Sequence, residues 1–233
     1  MPCPRCGART SWLLGNGRRR CAVCRRDWRP GRLPLRLSLP QWKALLRWFA
    51  RGAASADIAL ETGLERKRVL RALLVVRRAI ARSMLPAGRR ASAHAAPAAE
   101  RHRGGWRRAA TSRRSRFAAL GLRVDGDRAW AEVIADAEAE QVVRDVLGRH
   151  AVSRYTAIVY RGRLYRLPAS GPERVPFGRV EAFWAYLQRQ LRAKGGVRRE
   201  RLGLYLAEFS WRYNHRKLAP AEQAAALLAL LRD

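Results

Sequence analysis

Acidic side chains are scarce in this 233-residue chain, with 18 Asp+Glu against 49 Lys+Arg and a formal net charge of +31. So much charge of one sign repels itself in a folded protein unless a polyanion shares the surface, and nucleic acid is the commonest such partner. Lysine is also scarce, present only at Lys43, Lys67, Lys194 and Lys217. A GC-rich gene raises Arg and Ala together and accounts for arginine over lysine, but not for the shortage of Asp and Glu. Long apolar runs are missing too. No stretch approaches the roughly 20 residues of a membrane span, and the start MPCPRCG has neither part of a signal peptide. The expectations are a nucleic acid as partner, which the helical motif below narrows to double-stranded DNA, no membrane, and a cytoplasmic, nucleoid-associated location. Cysteine is limited to four residues in two pairs, which in a reducing compartment read as metal ligands rather than disulfides.

The composition changes along the chain. Residues 1–34 hold all four cysteines and too few apolar side chains for a core. Residues 35–85 turn helical: QWKALLRWFA places Trp42, Leu45, Leu46 and Phe49 on one face, and two helices follow around Gly63. Residues 86–115 are rich in Ala, Arg, Pro and Gly without apolar periodicity, reading as a linker or a decayed strand. Residues 116–233 show two strands around an Asp-Gly turn at Asp125 and Gly126, a helix, one strand in YTAIVYRGRLYRL, and three helices. That strand and helix order predicts an α/β domain.

The cysteines stand as CPRC, Cys3 and Cys6, and CAVC, Cys21 and Cys24, with fourteen residues between the pairs. Each C-x-x-C turns two thiolates toward one ion, and two such knuckles complete a tetrahedral shell, the pattern of a structural zinc ribbon. Four protein thiolates leave no open position for water, so the expected role of this zinc is structural and not catalytic.

In SADIALETGLERKRVLRAL, Ser55 is placed to cap a first helix, Ile58 and Ala59 face inward, Gly63 makes the turn and Leu64 locks it. The second helix is expected to present Arg66, Lys67, Arg68 and Arg71 outward, where a helix in the major groove reads guanine with arginine and holds phosphate with lysine.

Near the C-terminus, Val180, Phe183, Trp184, Leu187 and Leu191 form the stripe of a buried helix face with Glu181 at its flank. The next helix puts Leu202, Leu206, Phe209 and Tyr213 on one face, with Arg212, Asn214, His215 and Arg216 at its polar end. VEAFWAYLQRQL followed by LYLAEFSWRYNHR, Val180 to Arg216, resembles the C-terminal signature of a family of bacterial insertion-sequence transposases. The resemblance implies an N-terminal zinc ribbon, a helix-turn-helix, and a ribonuclease H-like domain whose DDE-type acids hold two divalent ions while a hydroxyl or water attacks a phosphodiester. Arg212 and Arg216 would then join the DNA-binding residues.

The chain departs from that pattern where the chemistry needs acids. Ala99 stands at the first aspartate, beside Glu100, and Tyr160 or Arg161 at the second; no acid occurs from Val146 to Pro172. Near the third position Glu181 remains, while Gly178 replaces an Asn and Gln188 a Lys. Asp125 and Asp127 fall in a turn and Asp136 before a helix, each better suited to a structural role. A lone carboxylate holds Mg²⁺ weakly, since that ion takes several oxygens in octahedral array. The expectation is a transposase-related, DNA-binding protein with a partly degenerate ribonuclease H-like α/β domain, inactive in catalysis, with Glu181 a remnant of the packing helix. Mg²⁺ is implied only for the alternative, an active transposase; a third reading is a zinc-ribbon RNA-binding protein, and a homo-oligomer stays open.

Overall fold

The computed structural model describes residues 3, 6, 8–29, 33–84, 119–147, 155–167, 177–195 and 197–232. They divide into two compact units, one within Met1–Trp106 plus Leu218–Asp233, the other within Arg107–Lys217. The segment 86–115, with Ala99 and Glu100, lies outside the described residues.

In the first unit, β1 (Ser11–Leu13), β2 (Arg19–Cys21) and β3 (Asp27–Trp28) pair antiparallel in the order β1-β2-β3. Strands this short bury almost nothing apolar. The core of this piece is Cys3, Cys6 and Cys21, with Ala8, Cys24 and Trp28 against them.

A short 3₁₀ turn, Pro34–Arg36, leads into α1 (Leu39–Ala50), α2 (Ser55–Thr62) and α3 (Arg66–Met84). Ser38 and Gln41 cap α1 reciprocally, and the Trp42 indole donates to the Pro34 carbonyl at 3.2 Å. Trp42, Leu45, Leu46 and Phe49 are buried, as their spacing requires, with Ile58, Leu64, Val69, Leu73, Val76 and Ile80. Ser55 is not the cap of α2. Ala54 takes that position in extended conformation, and Asp57 Oδ2 accepts from its backbone N–H at 3.2 Å. Gly63 ends α2 at φ +63, a left-handed conformation open to glycine at little cost.

The last helix, α7 (Pro220–Arg232), buries Leu227, Leu228 and Leu231 and packs on α1 and α3. A single domain over 116–233 is therefore not what the chain builds, because the apolar stripe of α7 finds its complement on the N-terminal helices.

In the second unit β4 (Leu120–Asp125) and β5 (Arg128–Val133) form a hairpin, α4 (Asp136–Leu147) follows, and β6 (Ala157–Tyr160) and β7 (Arg163–Arg166) form a second hairpin. The sheet order is β5-β4-β6-β7, every neighbouring pair antiparallel. β5 and β6 thus run parallel to each other with β4 between them, and α4 is the crossover. The one strand expected across Tyr155–Leu167 is two strands, turning at Arg161 (φ +50) and Gly162 (φ +78). Such a two-residue turn takes positive φ at both positions; an arginine there hides the signal. The first hairpin turns at Gly126 and Asp127, one residue beyond the expected Asp125 and Gly126, since Asp125 is still paired with Arg128.

Period-two alternation divides the sheet's faces. Leu120, Leu122, Val124, Ala157 and Val159 pack against α5 (Phe177–Ala193) and α6 (Arg199–Asn214) through Val180, Phe183, Leu187, Leu206 and Phe209. Ile158 on the other face joins Ala139 of α4, with Tyr155 and Leu167. The chain is thus a mixed α/β protein with two small antiparallel sheets and, among the described residues, seven α-helices.

Candidate metal centre and nucleic-acid interface

The four cysteines converge as their spacing demands. Cys3 and Cys24 Sγ are 3.6 Å apart, Cys6 and Cys21 Sγ 3.3 Å, and all four sulfurs lie within 4.8 Å of one another. A tetrahedral tetrathiolate site with metal–sulfur bonds of about 2.3 Å needs sulfur–sulfur separations of about 3.8 Å, so the donor set fits an ion such as zinc. The second knuckle is in ligand geometry: the N–H groups of Val23 and Cys24 point at Cys21 Sγ, at 3.4 and 3.5 Å. The Cys24 N–H, above all, holds the Cys21 thiol down to about 6, whereas burial pushes Cys6 up to about 12. Four sulfurs this close, three of them on buried cysteines, cannot all ionise without a cation among them, which couples metal binding to the fold of this piece.

On α3, Arg66, Lys67 and Arg71 are exposed, and exposed Leu70 and Arg78 lie further along the helix. Arg68 does not join them. Its guanidinium donates to the carbonyls of Leu35 and Arg36, at 3.4 and 3.3 Å, and ties α3 to the 3₁₀ turn. That turn holds Leu35 and Arg36 at φ +60 and +53, conformations that need such an external tether. No acid occurs in the nineteen residues of α3. Glu65, just before it, is the one acid at its start.

In the second unit the polar end of α6 is built for packing. Asn214 accepts from the Ala129 N–H at 2.7 Å and donates to the Ala129 carbonyl at 3.0 Å, while Ser210 Oγ accepts from the Ala131 N–H at 3.0 Å. These groups face outward from the edge strand β5, so α6 supplies the missing ladder partner and closes that edge. Arg212, expected on the nucleic-acid surface, instead pairs with Glu208 at 2.9 Å, the two side chains being 15% and 2% exposed. Arg216 is exposed, its guanidinium donating to the Tyr213 carbonyl at 2.7 Å and lying 4.2 Å from the Tyr213 ring centroid.

Glu181 is half-buried on α5, and its Oε2 is buried without a hydrogen-bond partner among the described residues. The cysteine cluster is the only group of three or more potential ligands among the described residues, so Glu181 belongs to no such group there. Asp127 anchors the first hairpin to Lys217 at 2.9 Å and to Arg179 at 3.7 Å, and Lys217 above all holds its carboxyl below the usual range. The Asp136 side chain lies outside the described residues; the structure begins α4 with this residue.

Sequence reasoning missed the work of Ser210 and Asn214, which only the neighbouring strand edge explains. It also missed Tyr155, whose ring lies over Gly121 and whose hydroxyl donates to Glu132 at 2.8 Å. Gly121 opposite Glu132 in the ladder was the available signal, since a strand-interior glycine marks a close approach.

The chain matches no model of a known protein family, no curated protein and no solved structure. Its own geometry defines it as a mixed α/β protein whose four-cysteine cluster can hold a metal ion such as zinc. Among the described residues no helix is long and apolar enough to cross a membrane.

Proposed function

We propose that this protein binds duplex DNA through α3, with a zinc-stabilised ribbon beside it, and descends from a transposase whose strand-transfer chemistry is lost. The observation that carries the reading is the start of α3, where Arg66, Lys67 and Arg68 occupy the first turn with no acid among them. Cations at the positive end of a helix cost roughly 0.3 to 1 kcal/mol each in a free protein. Phosphate at the same place relieves both the dipole and the mutual repulsion. Arg66, Lys67 and Arg71 supply the exposed contacts, arginine suited to guanine edges and lysine to phosphate.

The loss of catalysis is supported by Glu181, which belongs to no group of three or more ligands among the described residues, and by Tyr160 and Arg161, which form the end of β6 and the turn after it. The ribonuclease H-like ancestry of the second unit rests on the Val180–Arg216 signature and on the split crossover from β5 through α4 to β6. One observation favours a working transposase instead: an orphaned, buried carboxylate oxygen at Glu181 is what a metal ligand looks like without its ion.

A binding and cleavage assay separates the readings. The full protein with zinc should retain duplex DNA in preference to structured RNA at equal salt, and leave the DNA uncut in Mg²⁺ or Mn²⁺. Cleavage abolished by Glu181→Gln would establish the enzyme, and preference for RNA would move the partner class.

A further inference from the structure

We propose that the outer face of the ribbon carries a second nucleic-acid site, which takes an unpaired base of a single strand by stacking it on Trp12. The inference is independent of the duplex reading of α3.

Trp12, Arg20 and Asp27 are aligned across the three strands by register, Trp12 opposite Arg20 and Arg20 opposite Asp27. Trp12 is 42% exposed, outside the sulfur core against which the other indole of this piece, Trp28, packs. Arg25 reaches back over it, its guanidinium carbon 5.5 Å from the ring centroid. That reach is set by the backbone: Arg25 stands at φ +56, and its N–H closes the second knuckle on the Cys21 carbonyl at 3.1 Å. A non-glycine residue held left-handed costs of order 1 kcal/mol or more, and here the knuckle imposes it.

The one acid on this face is already satisfied. Asp27 takes both guanidinium hydrogen bonds of Arg20, at 2.6 and 3.0 Å, while Arg18 adds positive charge beside it. What remains is a large, partly exposed aromatic ring with the Arg25 guanidinium over it and the exposed Arg18 beside Asp27, the pairing that binds single strands: bases stack on the ring and cations follow the backbone. A duplex offers no unstacked base to such a ring. An acidic peptide would use the cations but gain little from the indole.

The test uses the full, zinc-loaded protein and three nucleic-acid probes of equal length and charge, oligothymidylate, an abasic strand and a duplex hairpin, with polyglutamate as a fourth probe and affinity read by fluorescence anisotropy. Wild type should prefer oligothymidylate over the abasic strand. Trp12→Ala should weaken oligothymidylate binding about 5- to 100-fold and erase that preference, with the hairpin changed less than about threefold. Trp12→Phe should retain most of the preference, and chelating the metal should abolish it with Arg25 no longer held. Zinc content measured on each variant keeps a misfolded ribbon from counting as a result. Equal losses on all three nucleic-acid probes, an unchanged preference in fully metallated Trp12→Ala, or Trp12-dependent binding of polyglutamate without that of oligothymidylate would each overturn the site.

Discussion

Replacing Arg66, Lys67 and Arg71 together by Ala tests the geometry of α3 against its composition. All three are exposed, while Arg68 is tied to the Leu35 and Arg36 carbonyls. Each phosphate neutralised contributes about 0.9 to the log–log salt slope of duplex binding. The triple variant should therefore lose up to about 2.7 units of slope, so that its affinity falls about 40-fold less than that of wild type between 50 and 200 mM salt. Arg68→Ala should leave the slope within about 0.3 units. Its cost should appear in stability, about 1 to 3 kcal/mol, because two carbonyls of a strained turn lose a charged donor. Anisotropy titrations of a labelled duplex over several salt concentrations, paired with thermal melts, separate the two effects. A full unit of slope lost in Arg68→Ala with unchanged melting, or no change of slope in the triple variant, would refute the assignment of the face.

Cys3→Ser or Cys21→Ser should release bound zinc and weaken DNA binding; unchanged metal content by elemental analysis would refute the metal centre. Asn214→Ala should destabilise the second unit by about 2 to 4 kcal/mol, since it leaves an N–H and a carbonyl of Ala129 unpaired at the sheet edge. Asn214→Asp should fail to rescue it in a denaturant titration, because a carboxylate oxygen then faces the Ala129 carbonyl. Gly121→Ala should cost about 1 to 3 kcal/mol, since the new Cβ would lie 2.6 Å from two Tyr155 ring atoms; combining it with Tyr155→Ala should give clearly less than the sum of the single losses.

Much of the local structure was legible because its causes are local. Trp42, Leu45, Leu46 and Phe49 recur at helical spacing and are buried, and two C-x-x-C pairs bring four sulfurs together as their spacing implies. Val180, Phe183 and Leu187 behave the same way on α5. The departures arose where tertiary surroundings decide. Arg68 reads like its basic neighbours until a turn more than thirty residues earlier claims its guanidinium. Arg212 reads as a surface cation until burial of Glu208 beside it withdraws the pair from solvent. The second hairpin was hidden because its turn uses an arginine where glycine or asparagine would have marked it.

From the linear chain alone came the excess of positive charge, the tetrathiolate set and the amphipathic faces, all of which depend on residue identity and spacing over a few turns. Tertiary structure decided which cations stay free, that α6 closes the edge of β5, and that α7 leaves the residues just before it to complete the N-terminal helices. Those outcomes turn on which backbone carbonyl, strand edge or apolar groove a side chain meets, and such meetings join positions up to about two hundred residues apart that no local pattern connects.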